Sequence, residues 1–436
     1  MDLTRKLVID CLLKVESSGF SNLVLSSLLN NDKLTNQDKA FATKLFYGSI
    51  ERKITLNYIL QKNLSKPIHK MDKEIVAILQ TGLYQLLYMQ SVPNYAAINQ
   101  AVGLCPVFKK TSAKGLVNAV LRKSQNFDIN KENFKDKTTE LSVKYSVNKE
   151  IIEIINRDYH SMTEEILSAM FNTPKFTVKI NTTKISQSEF EKLLDGNGIQ
   201  YNKMPIENCL EILYRGNITD IIGFKEGYFY VQGITSQYAI KSAGIKENDN
   251  VLDLCAAPGG KSFACSIELN NTGSVTSCDP NKSRLKLISD GATRLGLNNI
   301  ITVQNSGEVY NSNLKKYNVI VCDVPCSGIG IIPKKPDLRY KSMDKVEELA
   351  QLQYEILSTA VNYLEDKGTI VYSTCTINKQ ENEQVIEKFL KENSNFKLKK
   401  QHCPIKNIIN EDEKITFLSH LTDFDGFFVA VLEKVW

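Results

Sequence analysis

The chain has 436 residues, 42% of them hydrophobic and 24% charged, close to the average for core-forming globular proteins and against disorder, collagen-like repeats or one continuous coiled coil. At roughly 150 residues per domain, that length predicts two or three domains. The net charge of +5 hides an asymmetry: residues 1–130 hold 17 Lys and Arg against 9 Asp and Glu, a balance of +8, while the remainder balances at −3.

Such an asymmetry is expected of a nucleic-acid-binding module joined to something else, although charge alone leaves a merely solvated basic helical domain open. Residues 1–13 lack the order of a secretory signal, and ten cysteines in so long a chain make no dense disulfide framework. The expected setting is a reducing cytoplasm with free thiols. The most apolar stretch, residues 75–89, is interrupted by Gln80, Thr81 and Gln85, and no run approaches the ~20 residues that span a bilayer.

Apolar residues recur at helical spacing in residues 3–15 and 38–52, and further helices are predicted at 73–88, 95–107 and 113–123. Residues 1–130 therefore read as an all-helical domain, with the polar, lysine-rich stretch 126–139 as its exit linker. A helix over 149–170 leads to an alternating run at 176–183, a helix at 186–194, a turn at 195–198 and strand-like pieces at 209–214 and 227–231. That segment, 140–235, is expected to be a small α+β domain.

After residue 248, short apolar strands alternate with helices, which predicts a parallel sheet covered on both faces, a Rossmann-like α/β domain over 236–436. Strands are predicted at 250–254, 274–278, 301–303, 319–322 and 368–372, and helices at 260–268, 283–296, 343–364 and 379–390. Asn378 and Glu381 have capping-box spacing, which would start the last helix there. Residues 414–418 and 426–433 read as antiparallel strands closing the sheet edge.

The chemistry concentrates where these strands end. The first runs into Cys255-Ala256-Ala257-Pro258-Gly259-Gly260-Lys261, whose small residues let the backbone approach a ligand closely. The second ends in Asp279, placed to accept hydrogen bonds from ribose hydroxyls. The loop is not GxGxxG, which favours a nucleoside cofactor without phosphates over a dinucleotide. Two further strand ends give Asp323-Val324-Pro325-Cys326-Ser327-Gly328 and Tyr372-Ser373-Thr374-Cys375. If these strands are neighbours, their ends lie ~4.8 Å apart and Cys326, Cys375 and Asp323 share one pocket mouth. The other cysteines of predicted elements (Cys11, Cys105, Cys209, Cys255, Cys265, Cys278 and Cys322) read as inert small hydrophobes. The four histidines are scattered and no CxxC exists, so no metal is expected.

Two thiols and a carboxyl group beside a nucleoside cofactor suit one reaction well. Carbon 5 of a pyrimidine becomes nucleophilic once a thiolate adds to carbon 6, and can then attack an electrophilic methyl group. The carbon 5 proton must leave before the thiol is eliminated, and an acid near ring nitrogen 3 stabilises the adduct.

The run 252–261 and the motifs at 323–328 and 372–375 together resemble the S-adenosylmethionine-dependent RNA cytosine-5 methyltransferases. Phe46-Tyr47-Gly48, residues 97–102 and residues 117–122 resemble the NusB-type RNA-binding fold. The combination resembles the bacterial 16S rRNA cytosine-5 methyltransferase family over nearly the whole chain. The resemblance implies Cys375 as the nucleophile, Cys326 as the group assisting product release, Asp323 at the cytosine edge and near the methionine end of the cofactor, and Lys261 between cofactor and target. It also implies cofactor contacts from Cys255 to Lys261, Asp279 and Asp323, a 16S rRNA substrate, no metal and no membrane association; a monomer is expected. Where the family has an acidic residue near the adenine, this chain reads Asn305-Ser306-Gly307, so Ser306 would make that contact, and where the family has Gln-Asp this chain has Gln232-Gly233. The target cytosine should be unpaired or flipped out of its stack. A dinucleotide oxidoreductase and a non-catalytic RNA-binding factor are the rival classes; transfer RNA or another rRNA position is the rival substrate.

Overall fold

A computed structural model describes residues 2–18, 21, 24–25, 29, 33–214 and 216–435. The chain forms two compact units, residues 1–171 with 332–342, and residues 172–331 with 343–436.

The first unit is helical among its described residues. Helices Leu3–Ser18, Asn36–Glu51, Lys53–Lys62, Lys73–Tyr88, Asn94–Val107 and Lys114–Ser124 enclose one apolar core. Thr35 and Asp38 form a reciprocal capping box that starts the second helix, and the chain turns at Arg52, so the run 38–52 is followed by a further helix the periodicity did not separate. The Lys73–Tyr88 helix is buried for most of its length, and its polar residues are satisfied in place. Thr81 donates to the Ala77 carbonyl, Gln85 to the Thr81 carbonyl and Gln80 to Asn57. No helix among the described residues is long and apolar enough to cross a membrane.

Helices Lys137–Tyr145, Lys149–Tyr159 and Thr163–Ala169 complete this unit, the expected helix over 149–170 being broken at His160, where φ is +43°. Residues 332–342 also belong here. The Arg339 guanidinium is fully buried, donates to the Tyr145 carbonyl at 3.0 Å and to the Met170 carbonyl, and lies 4.2 Å from the centre of the Phe171 ring. The Tyr340 hydroxyl donates to the Ile50 carbonyl and accepts from the Lys53 amide at 3.0 Å.

The second unit holds two sheets. Strands β1 (Thr177–Ile180), β2 (Gln200–Lys203), β3 (Cys209–Leu213) and β4 (Phe229–Val231) form an antiparallel sheet in the order β2-β3-β1-β4. It packs on helix Gln187–Gly196, which a Ser186/Glu189 capping box starts, around Val178, Ile180, Phe190, Leu194 and Phe229.

The larger sheet contains β5 (Asn250–Asp253), β6 (Ser274–Asp279), β7 (Ile300–Gln304), β8 (Tyr317–Asp323), β9 (Leu364–Thr374), β10 (Phe396–Leu398), β11 (Ile409–Glu411), β12 (Lys414–Phe417) and β13 (Phe427–Lys434). Strands β5 to β9 are parallel, as their uninterrupted apolar character predicts. β13 runs antiparallel to β9, and β12 and β11 extend that edge. The fold class is thus an all-helical N-terminal region followed by a Rossmann-like domain.

Two expectations are corrected here. Helix Val346–Ala360 ends early, because residues 361–363 make a short turn and β9 already begins at Leu364. The last helix before β10 spans Glu383–Glu392 with Asn382 as its N-cap, so Asn378 and Glu381 do not cap it. Helix Ile234–Ala243, bounded by Gly233 and by Gly244 in the left-handed region, was not foreseen.

Candidate active site

The parallel strands lie in the spatial order β7-β6-β5-β8-β9. From β5 the chain builds outward through β6 to β7, then crosses back to the other side of β5 for β8. Open α/β sheets bind ligands beyond the carboxyl ends of their strands at such a reversal. Cys255 to Gly259, Asp279, Ser306, Asp323, Cys326 and Cys375 fall at the carboxyl ends of these strands or in the loops that follow, and Lys261 lies in the first turn of the helix after β5.

The loop after β5 is held from three sides. The Ala256 amide donates to the Cys278 carbonyl of β6 at 2.8 Å, and the Ala257 carbonyl accepts from Arg284 at 2.7 Å. The Gly260 carbonyl accepts from both the Tyr230 hydroxyl and the Gln232 amide at 3.0 Å. Gly259 has φ +111°, and a Cβ there would sit 2.5 Å from the Phe263 ring, so the loop folds this way only with glycine. Helix Gly260–Glu268 then begins, with Lys261 in its first turn.

Four of the expected residues meet beyond β8 and β9. These strands pair directly, with Asp323 opposite Ser373, and the Ser373 hydroxyl donates to Asp323 at 2.8 Å. Lys261 Nζ lies 2.6 Å from Asp323 Oδ2 and 5.2 Å from the centre of the Phe427 ring. Cys326 Sγ and Cys375 Sγ are 3.1 Å apart. Around them the backbones are closely fitted: a Cβ on Gly330 would lie 2.0 Å from the Gly426 carbonyl oxygen and 2.9 Å from that of Cys375. The Gly330 amide donates to the Cys375 carbonyl, which ties one cysteine loop to the other.

The two thiols differ in kind from the other cysteines. Burial pushes Cys209 and Cys278 up to about 12, and Cys255, Cys265 and Cys322 well above the thiol range, so all five stay protonated. Cys326 is also raised, but the largest cause is its hydrogen bond with Cys375, followed by burial.

Asp279, at the end of β6, is buried, accepts the Asn281 amide at 2.9 Å and pairs with Arg284 at 3.1 Å. The Ser306 hydroxyl donates to the carboxylate of Glu308 at 2.6 and 2.7 Å. An acidic residue thus stands at this turn, two positions after Ser306. Tyr230, Gln232 and Arg284 brace the loop after β5 and Glu308 holds Ser306, positions that no local sequence pattern marks.

Asp253, at the end of β5, is fully buried. Its Oδ2 accepts from Ser262 at 2.7 Å, and Ser262 in turn accepts from Ser277, while Oδ1 makes no hydrogen bond. Burial raises its carboxyl from 3.8 to about 7, with the charge of Asp323 adding to the effect. Between about pH 4 and pH 7 the folded protein holds a proton that the unfolded chain releases, so this group's contribution to stability is lost as pH rises through that window. In urea unfolding, Asp253→Asn should gain on the wild type by on the order of 3 kcal/mol between pH 4 and pH 8. A pH-independent difference would refute the shifted carboxyl.

Comparison with known proteins gives a consistent picture. The family model described as 16S rRNA methyltransferase RsmB/F matches residues 243–433, and the NusB family model matches residues 2–126. A Bacillus subtilis (strain 168) protein named probable ribosomal RNA small subunit methyltransferase B is 32% identical over 445 residues, covering 99% of this chain and 98% of its own. The protein of the same name in Synechocystis sp. is 30% identical over 95% of this chain and 96% of its own. The crystal structure of PH0851 matches 99% of this chain and 98% of its own with a TM-score of 0.86 at 23% identity, a likeness of fold.

Proposed function

This chain belongs to the ribosomal RNA small subunit methyltransferase B family and is an S-adenosylmethionine-dependent rRNA methyltransferase, and from that premise we propose that it methylates carbon 5 of a cytosine in 16S rRNA through a covalent adduct with Cys375. The observation that carries the reading is the pair of thiols 3.1 Å apart, beside the Lys261–Asp323 ion pair, at the ends of two adjacent parallel strands.

The groups around the strand reversal fit the methyl donor. S-adenosylmethionine has a cationic sulfonium and ammonium and no phosphate, and the site offers the carboxyl groups of Asp279 and Asp323 at the ends of β6 and β8. Residues Cys255 to Lys261, Asp279, Ser306 and Asp323 would hold it, and Glu308 stands beside Ser306. When bound, it supplies an electrophilic methyl group.

The chain's own residues supply the rest. The Cys375 thiolate adds to carbon 6 of the cytosine, forming an S–C bond and making carbon 5 nucleophilic. Asp323, held by Lys261 and Ser373, meets the ring edge and, acting as an acid, gives a proton to nitrogen 3 as the thiolate adds and negative charge gathers there. After methylation the carbon 5 proton passes to Cys326, the carbon–hydrogen electron pair re-forms the carbon 5–carbon 6 double bond, and the carbon–sulfur pair departs with Cys375, which leaves as the thiolate, restored for the next turnover.

In this reading the helical module of residues 1–130 and the small domain 140–235 contact phosphate, and residues 236–436 carry the catalyst. The protein acts as a cytoplasmic monomer. The test is transfer of labelled methyl from S-adenosylmethionine to 16S rRNA, assembled small subunits and transfer RNA, followed by nucleoside analysis. Label in 5-methylcytosine of 16S rRNA is expected; label confined to transfer RNA, or to another base, would overturn the proposal.

A further inference from the structure

Glu381 has the sequence spacing of a helix cap, yet its side chain turns away from the helix and is fully buried. Oε2 accepts the Ser327 backbone amide at 2.8 Å and the Gln353 side-chain amide at 3.0 Å, and Oε1 accepts from Asn378 at 3.0 Å. Gln353, itself fully buried, also donates to the Pro325 carbonyl at 2.8 Å. The Tyr372 hydroxyl fixes the Glu381 backbone by donating to its carbonyl at 2.6 Å. The residues on either side of Cys326 are therefore both fastened to one buried carboxylate, Ser327 directly and Pro325 through Gln353.

A buried carboxyl group is costly unless its oxygens are hydrogen-bonded, and here donors from three separate segments converge on the two oxygens of Glu381, so that exchanging one oxygen for an amide nitrogen would set donor against donor. We propose that Glu381 is a positioning residue for Cys326, holding the Pro325–Ser327 backbone so that the Cys326 side chain faces Cys375, within reach of the adduct whose release it assists. This inference rests on the covalent reading above and deepens it.

The test uses full-length protein, 16S rRNA and labelled S-adenosylmethionine, and compares wild type, Cys326→Ala, Glu381→Gln and the double variant. Two quantities are read: turnover, and the fraction of protein linked to RNA on a denaturing gel. Glu381→Gln should slow turnover about tenfold to a hundredfold while the linked fraction rises, as for a displaced catalytic group. The double variant should match Cys326→Ala alone, because both changes act through one thiol. Unchanged turnover, a linked fraction that falls together with turnover, or effects that multiply in the double variant would each overturn the role. If Glu381→Gln does not fold, Gln353→Leu, which leaves the carboxylate and removes its bridge to Pro325, is judged by the same criteria. Absence of a linked species in Cys326→Ala would count against the covalent reading itself, whereas its presence there and absence in Glu381→Gln would sink the positioning role alone.

Discussion

Cys375→Ala is expected to abolish methyl transfer, with a rate lowered by about 10⁴-fold or more, the scale seen when a covalent nucleophile is removed. Without a thiolate at carbon 6, the ring carbon has no electron density to offer the methyl group, so no partial substitute for the step exists. Binding of S-adenosylmethionine should survive, because the loops after β5 and β6, where the donor is proposed to sit, do not depend on the Cys375 side chain. The variant should also leave no RNA linked to protein after denaturation. A Cys375→Ala protein that still methylates at a tenth of the wild-type rate would reassign the nucleophile.

Cys326→Ala should fail in the opposite way. Cys375 can still attack, carbon 5 can still be methylated, and the block falls on losing the carbon 5 proton and breaking the carbon–sulfur bond. Turnover should stop near one event per enzyme, and a protein–RNA band should build up whose label comes from the methyl donor. The 3.1 Å separation of the sulfurs is the geometric basis, since a group that assists elimination must stand within hydrogen-bond reach of the departing thiol. Normal multiple turnover without such a band would remove Cys326 from the mechanism.

How much of this could be read in advance depends on how far apart the partners are in sequence. The parallel strands announced themselves because strands buried on both faces are continuous apolar runs, as at Val319, Ile320, Val321 and Cys322. Asp323, Cys326 and Cys375 followed from the rule that α/β proteins keep their chemistry at strand carboxyl ends. Helix Ile234–Ala243 was missed because it is buried on more than one side, with Ile234, Tyr238, Ala239 and Ile240 all covered, which erases the polar face that a periodicity search needs. The start of β9 was missed because Glu365, Asp366 and Lys367 make its exposed end look like the polar tail of a helix.

Glu381 shows the limit most clearly. Its spacing from Asn378 predicts a capping box, which does not form; the two residues instead bond side chain to side chain. The partners that decide its orientation, Ser327 and Gln353, lie 54 and 28 residues away. No local pattern carries that information. The acid at the turn after β7 is displaced by a shorter distance, since Glu308 stands two positions past Ser306.

Residues 332–342, with Arg339 and Tyr340 at their centre, lie within the helical unit although they are encoded after more than half of the second unit. During synthesis the carbonyls of Ile50, Tyr145 and Met170 are made long before the side chains that bond to them. At about 5–20 residues per second, the interval between Phe171 and Ser342 is roughly ten to thirty seconds. The helical unit, first to leave the ribosome, is thus completed only after Cys326 has been made and before Cys375 has, so its assembly is timed by the enzyme half of the chain.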